Sequence, residues 1–186
     1  MGRQFGWQGA ASVLAIVLFG LGLLLGSYRH TGEPLHSTAA ERLRPAAPIT
    51  DKPAAGGTVY VPVYSSLSLG VANRAGTVDL GATVSVRNVS SVHPITLDWV
   101  RYYDSVGTKV RDYLDKASTL PPMGSVEFVI QRSDVAGGPG ANFLIQWHAT
   151  AVVDEPLIEA IMLGQSGNAG ISFSSRGRPL TPTADR

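Results

Sequence analysis

The chain contains no cysteine. That excludes disulfides, thiolate metal sites, a cysteine nucleophile and a lipid-acylated cysteine. Charge is scarce as well. Charged residues are 16% of the 186, against about 25% in an ordinary soluble domain. Lys and Arg number 15 and Asp and Glu 14, a net charge of +1. A nucleic-acid groove needs clustered cations to neutralise phosphates, so no nucleic-acid partner is expected. His30, His36, His93 and His148 are the only histidines. No two stand at i,i+2 or i,i+4, whereas a zinc site needs three or four converging ligands, so no metal is expected. No Gly-x-Ser-x-Gly elbow surrounds Ser65 or Ser66, and a triad of either serine with His148 and Asp98 has no local motif behind it. The glycine-rich run 137–142 is neither a phosphate-binding loop nor a dinucleotide fingerprint, because it leads into a strand pattern. Neither catalytic residues nor a cofactor is expected, and the chain does not read as an enzyme.

What the chain does have begins with an apolar run. Residues 10–26 are apolar apart from Ser12. As a helix this run is about 26 Å long, just enough for a hydrocarbon core of about 30 Å. Trp7 and Tyr28 bracket it, and such rings favour the headgroup level. Residues 1–28 therefore read as a retained signal anchor. The alternatives are a cleaved signal peptide, for which the small-x-small site is missing, and a buried helix. The flanking charges, Arg3 on one side and Arg29, Arg42 and Arg44 on the other, do not fix the orientation. Residues 29–57 hold four prolines and few large apolar side chains. Such a segment cannot bury enough surface to offset its ordering entropy, and it reads as a flexible stalk.

From Thr58 the period becomes two. Val78, Leu80, Ala82, Val84 and Val86 alternate with Asp79, Gly81, Thr83, Ser85 and Arg87, the clearest strand pattern present. Residues 58–67 alternate too, with Val59, Val61 and Val63 opposing Tyr60, Pro62 and Tyr64. Pro62 cannot donate to a ladder, which predicts an edge strand. Around residues 95–102 the phase slips after Trp99, the mark of a bulge or of a strand covered on both sides. Further strands are expected near 109–114, 126–130, 143–147 and 171–173. Residues 156–163 read as strand in preference to a helix started by Pro156 and stopped by Gly164. Seven or eight strands without a long helix predict an antiparallel β-sandwich over 58–180, with a disordered tail at 181–186. Its expected core is Val61, Leu80, Val84, Val86, Leu97, Trp99, Phe128, Ile130, Phe143, Ile145, Trp147 and Phe173.

The segments Tyr60-Val-Pro-Val-Tyr-Ser-Ser66, Tyr102-Tyr-Asp104, Leu120-Pro-Pro122, Gly138-Pro-Gly-Ala-Asn-Phe143, Glu159-Ala160 and Gly170-Ile-Ser-Phe173, with Ser175-Arg-Gly177, resemble a bacterial domain-of-unknown-function family, numbered three-one-two-four. The resemblance spans residues 58–180. It implies no known activity. It does imply exported proteins held at the membrane by an N-terminal helix or a lipid. Because this chain lacks cysteine, the helix must serve, and the domain is expected on the extracytoplasmic side of a single-pass anchor. More loosely, Val86-Arg-Asn-Val89, followed by Leu-Pro-Pro before a strand, is similar to secreted immunoglobulin-like modules, an analogy of fold alone.

The function expected is that of a membrane-tethered module binding another envelope protein. A small-ligand or glycan-binding module, which Trp99 and Trp147 could line, and an unrecognised enzyme remain as alternatives. Tyrosine and arginine anchor protein interfaces. The candidate surface is therefore Tyr60 and Tyr64, the loop at Gly138 and Asn142, and Arg176 with Arg178. One of Tyr102 and Tyr103 must leave the core, since neighbours in a strand face opposite ways. If the three segments converge, one interaction patch is defined; if they separate, each is local turn and packing chemistry.

Overall fold

The computed structural model describes residues 43–47, 52–68, 70, 76–114 and 116–180. The expected membrane anchor at 1–28, most of the expected stalk and the expected tail at 181–186 lie outside the described residues. Among the described residues no helix is long and apolar enough to cross a membrane.

The described chain is all-β and antiparallel. Its strands are β1 (Arg44–Pro45), β2 (Ala55–Pro62), β3 (Ser66–Ser68), β4 (Thr77–Arg87), β5 (Ile95–Tyr103), β6 (Lys109–Asp112), β7 (Ser118–Leu120), β8 (Ser125–Ile130), β9 (Asn142–Ala149), β10 (Leu157–Ser166), β11 (Ala169–Arg176) and β12 (Arg178–Leu180). One sheet has seven strands in the order β1-β7-β5-β9-β2-β12, with β6 also on β5. The other has five in the order β11-β10-β4-β3, with β8 also on β4. The count exceeds the seven or eight expected because β1, β3, β7 and β12 are only two or three residues long, too short to leave an alternation.

The inner faces of the two sheets form the core. β4 behaves as its sequence predicts: Val78, Leu80, Ala82, Val84 and Val86 are all buried. On the other sheet Val59, Val61, Phe143, Ile145 and Trp147 are buried. Each large side chain so buried contributes about 1.5–3 kcal/mol. An aromatic cluster fills one part of this core. Tyr102 and Tyr113 each pack on Phe143 with ring centres 5.1 Å apart, and Phe128 lies 5.9 Å from Tyr113. β10 is a strand, as favoured over a helix. Gly164 does not stop a helix; a Cβ there would fall within 3.1 Å of the Asp79 carbonyl oxygen, on the neighbouring strand.

Four expectations are corrected. The Thr58–Leu67 segment is not an edge, because β2 pairs with β9 on one side and β12 on the other. Val63 N–H donates to Ala141 O at 2.9 Å, so odd residues of β2 bond to β9 and even ones point toward β12. β12 reaches only as far as Tyr60, so Pro62 costs no ladder bond. The stalk boundary moves as well. Leu43 is buried, Arg44–Pro45 pairs with β7, and β2 already starts at Ala55. One buried leucine, two residues paired on β7 and the Ala46 N–H bond to Ala117 O dock a segment whose composition reads as disordered. Trp99 is half-buried and outside the core: the register of β5 shifts between Leu97 and Trp99, which turns the tryptophan outward. Phe173 is only partly buried, at the rim, with its ring 5.7 Å from that of Tyr64.

Candidate functional site

The outer face of the seven-stranded sheet is built by strand parity. With Val59 and Val61 inward, Thr58, Tyr60 and Pro62 face outward. Across the sheet, Asp112 pairs with Arg101, Arg101 with Leu144, Leu144 with Tyr60, and Tyr60 with Arg178. One transverse row thus runs over five strands. A second row sets Trp99 beside Gln146, then Thr58, then Leu180; a third sets Tyr103 beside Asn142, then Pro62. Directly opposite residues on one face lie about 4.5–5.5 Å apart, so each row is a line of neighbouring side chains.

The arginine at the centre is held from two sides. Arg101 Cζ stands 4.2 Å from the centre of the Trp99 ring, and its Nε lies 3.4 Å from Asp112 Oδ1. Stacking on the ring favours a planar guanidinium over an ammonium. Asp112 also accepts from Lys109 Nζ at 2.6 Å. That hydrogen bond, seconded by the charges of Lys109 and Arg101, holds the Asp112 carboxyl below its ordinary range. The β5 bulge is what makes this possible. Without the extra residue, Trp99 would follow Leu97 into the core.

The residue freed by the bulge is Asp98. Its carboxylate accepts from His148 Nδ1 at 3.0 Å, which sets the proton on that nitrogen. His148 is buried, opposite Gly56, at a shallow groove shared with Lys52, Gln146 and Trp147. A carboxylate-oriented imidazole is half of a hydrolytic triad, but neither serine considered for it is near. His148 pairs with Gly56 at one end of β2, whereas Ser65 lies beyond Pro62, which pairs with Asn142. Six residues of β9 separate those registers, about 20 Å. Ser65 is instead spent on Gly138, whose carbonyl accepts both its hydroxyl and its N–H.

The glycine loop is consumed by its own neighbours. Ser105 donates its hydroxyl to Gly137 O at 2.9 Å and accepts from Gly140 N–H at 2.8 Å. Gly137 lies against the Tyr102 ring, where a Cβ would fall within 2.6 Å of Cζ. The Tyr102 hydroxyl is buried there without a well-formed hydrogen bond, and burial foremost pushes its pKa up to about 12. Tyr102 is the tyrosine that enters the core and Tyr103 the one that leaves it.

The candidate residues therefore divide. Tyr60, Asn142 and Arg178 share the outer face of the seven-stranded sheet. Tyr64 sits past the end of β2 on the Phe173 rim. Gly138 belongs to the loop packed on Ser65 and Ser105. Arg176 lies on β11 opposite Glu159 and faces outward from the other sheet. The chain changes sheets at Gly177, whose absent side chain leaves room for Val59 and the Ile158 carbonyl. Two arginines separated by one residue thus end on opposite outer faces. Sequence parity alone puts Arg176 and Arg178 on one side and misses Leu144 and Leu180. The phase slip read after Trp99 places Arg101 on this face but leaves Trp99 inward, because the structural shift falls one residue earlier, between Leu97 and Trp99.

Among the described residues no group of three or more histidines and carboxylates could hold a metal ion. Fold and surface together define a class: an antiparallel β-sandwich with one aromatic and arginine-bearing outer face. Residues 56–180 match the model of the family described as "Protein of unknown function (DUF3124)", and the chain belongs to that family. It is also similar to a solved structure described as "Crystal Structure of Thermotoga maritima 1070", at 8% identity and a TM-score of 0.38, over 67% of this chain and 95% of that one. No curated protein matches.

Proposed function

We propose that this protein is a membrane-tethered, extracytoplasmic interaction module that binds another envelope protein through the outer face of its seven-stranded sheet. The carrying observation is the stacked pair of Trp99 and Arg101, continued across the sheet by Leu144, Tyr60 and Arg178. Trp, Tyr and Arg are the residues that anchor protein interfaces. The Arg101 head is already ordered by Trp99 and Asp112, so binding immobilises little that is not fixed beforehand. In this reading the sandwich is immunoglobulin-like at its centre, where β4 lies beside β8 and β5 beside β9, and the flanking strands β2 and β10 exchange sheets relative to that pattern. The domain is non-catalytic in this reading, and Asp98–His148 orders the bulge.

Photo-crosslinking in cells tests the face. A crosslinker at Tyr60 should capture a partner, and one at Thr83, on the opposite outer face, should not. Equal capture from both positions, or none from Tyr60, would sink the assignment. The tether has its own check: membrane-extracted protein should yield peptides N-terminal to Ser27. A mature terminus within residues 27–32 in every copy would show a cleaved signal instead. The outward Trp99 also suits a glycan or small ligand, since an exposed indole stacks on sugar faces; quenching of tryptophan fluorescence by glycans, lost in Trp99→Ala, would favour that second reading.

A further inference from the structure

The edges of the two sheets are guarded unequally. An edge strand offers unpaired N–H and C=O groups to any passing strand, and proteins blunt such edges with charge, proline or brevity. β1 carries Arg44 and Pro45, β6 carries Lys109, Arg111 and Asp112, β8 carries Glu127, and β12 carries Arg178 and Pro179. β3 is three residues long. β11 has eight residues and one guard, Arg176 at its last position. From Ala169 to Ser175 it reads Ala-Gly-Ile-Ser-Phe-Ser-Ser, with no charge, no proline and an unbroken register on β10. Among the described residues β10 is its only strand partner.

The hydrogen bonding of β11 shows which groups are free. A two-residue loop, Gly167–Asn168, closes on the pair Ser166 and Ala169. At the other end Gly177 N–H donates to Ile158 O at 2.8 Å. Antiparallel pairs alternate between bonded and non-bonded, so the odd residues from 169 to 177 spend their backbone groups on β10. The N–H and C=O groups of Gly170, Ser172, Ser174 and Arg176 point to the open edge.

We propose that this edge pairs with β11 of a second copy of the chain, antiparallel about a two-fold axis at Phe173, so that the two five-stranded sheets become one sheet of ten. The register follows from three requirements. Free-edge residues must meet free-edge residues, inward side chains must stay on the inward face, and the overlap should be greatest. Setting Ser172 opposite Ser174 of the partner copy, and Gly170 opposite Arg176, satisfies all three. Sliding by two residues either way loses a quarter of the new bonds. In this register the only charge on the strand faces a glycine, and the two Arg176 side chains are separated by six residues of strand, about 20 Å. Phe173 meets Phe173 across the axis, covering a ring that is only partly buried in the single copy. The outer face of the seven-stranded sheet stays open in both copies, so the dimer is independent of that surface.

The absence of native cysteine makes the test clean. In the full-length protein in detergent, Ser172→Cys mixed with Ser174→Cys should form a disulfide-linked dimer on mild oxidation, because bonded antiparallel positions are about 5.5 Å apart. Either variant alone should not. Crosslinking by one single variant alone would overturn the register, and no crosslink in the mixture would overturn the pairing. Sedimentation supplies the second reading. Ser174→Lys leaves the β10 ladder intact and should weaken self-association at least about tenfold by placing like charge at the axis. A dimer that is unchanged in Ser174→Lys, or a wild-type chain that sediments as a monomer at all accessible concentrations, would overturn the proposal.

Discussion

The two sheets obey the same rule on their inner faces and different rules on their outer ones. Inside, both are lined by buried Val, Leu, Ile and Phe. Outside, the five-stranded sheet shows Thr83, Glu127, Val129, Glu159, Ile161, Leu163 and Ser174, a mixture of aliphatic, hydroxyl and carboxylate side chains without an aromatic ring. The seven-stranded sheet shows Trp99, Arg101, Tyr103, Tyr60 and Arg178. A solvated face has no need of an indole stacked under a guanidinium. In the function proposed above, the contrast separates surface that only has to be wet from surface fitted to bind.

The sharpest way to break this comparison is to remove a tryptophan from each side. Trp147→Ala should cost about 3–5 kcal/mol of unfolding free energy, read from urea melts, because its ring is sealed in the core. Trp99→Ala should cost about 1 kcal/mol or less, since its ring faces outward. Similar losses at both positions would erase the difference between the faces. Gly177→Ala comes next. Its Cβ would stand 2.7 Å from Val59 Cγ1 and 3.0 Å from Ile158 O, and the repacking should cost about 1–3 kcal/mol; a thermal melt that does not move would show that the sheet crossing tolerates a side chain.

Alkaline pH probes the aromatic core. Burial first of all raises the Tyr102 pKa from 10.0 to about 12, and burial also raises that of Tyr113. Below pH 10 both tyrosines are neutral whether the chain is folded or not, and their contribution is fully present. Above it the unfolded chain releases protons that the folded chain keeps, so stability should fall from pH 10 toward 12. In Tyr102→Phe the fall should be shallower. An equal slope in the two proteins would place the effect elsewhere.

The smallest effect on stability should be the most telling for function. Arg176→Glu and Arg178→Glu should each change stability by no more than about 0.5 kcal/mol, as exposed substitutions usually do. Capture of a partner from Tyr60 should survive the first and fail with the second. Loss in both would reunite the two arginines on one surface.

What could be read beforehand follows from how far each signal reaches along the chain. The period of two in residues 77–87 is local, and β4 came out with its expected faces. The same is true of Phe143, Ile145 and Trp147 on β9. Parity alone puts Trp99 on the wrong side because one extra residue reverses it, and the slip that marks the bulge also fits a strand covered on both sides. Leu43 could not be placed, since docking two residues on β7 depends on a surface made by distant segments. Arg176 and Arg178 share sequence parity, but the turn at Gly177 sends them to different sheets. Of the candidate face, Tyr60 is legible as an outward strand position, whereas Asn142 reads as the end of a turn and Arg178 as a residue beyond the final strand; their convergence is a matter of sheet order.

The pairing of β12 with β2 sets Leu180 opposite Thr58, so the first and last strands of the family-matched region are side by side. Adjacent strands are about 4.8 Å apart, and the direction of pairing puts the end of one next to the start of the other. A short peptide could therefore join residue 180 to residue 55, at the loss only of the Leu43 and β1 contacts and of the Ala54 N–H bond to Ala149 O, and new termini could be opened at the exposed hairpin around Gly107. The sandwich would then be the same object written in a different order. Its geometry belongs to the set of strands and their neighbours, and the point at which the polypeptide starts is incidental to it.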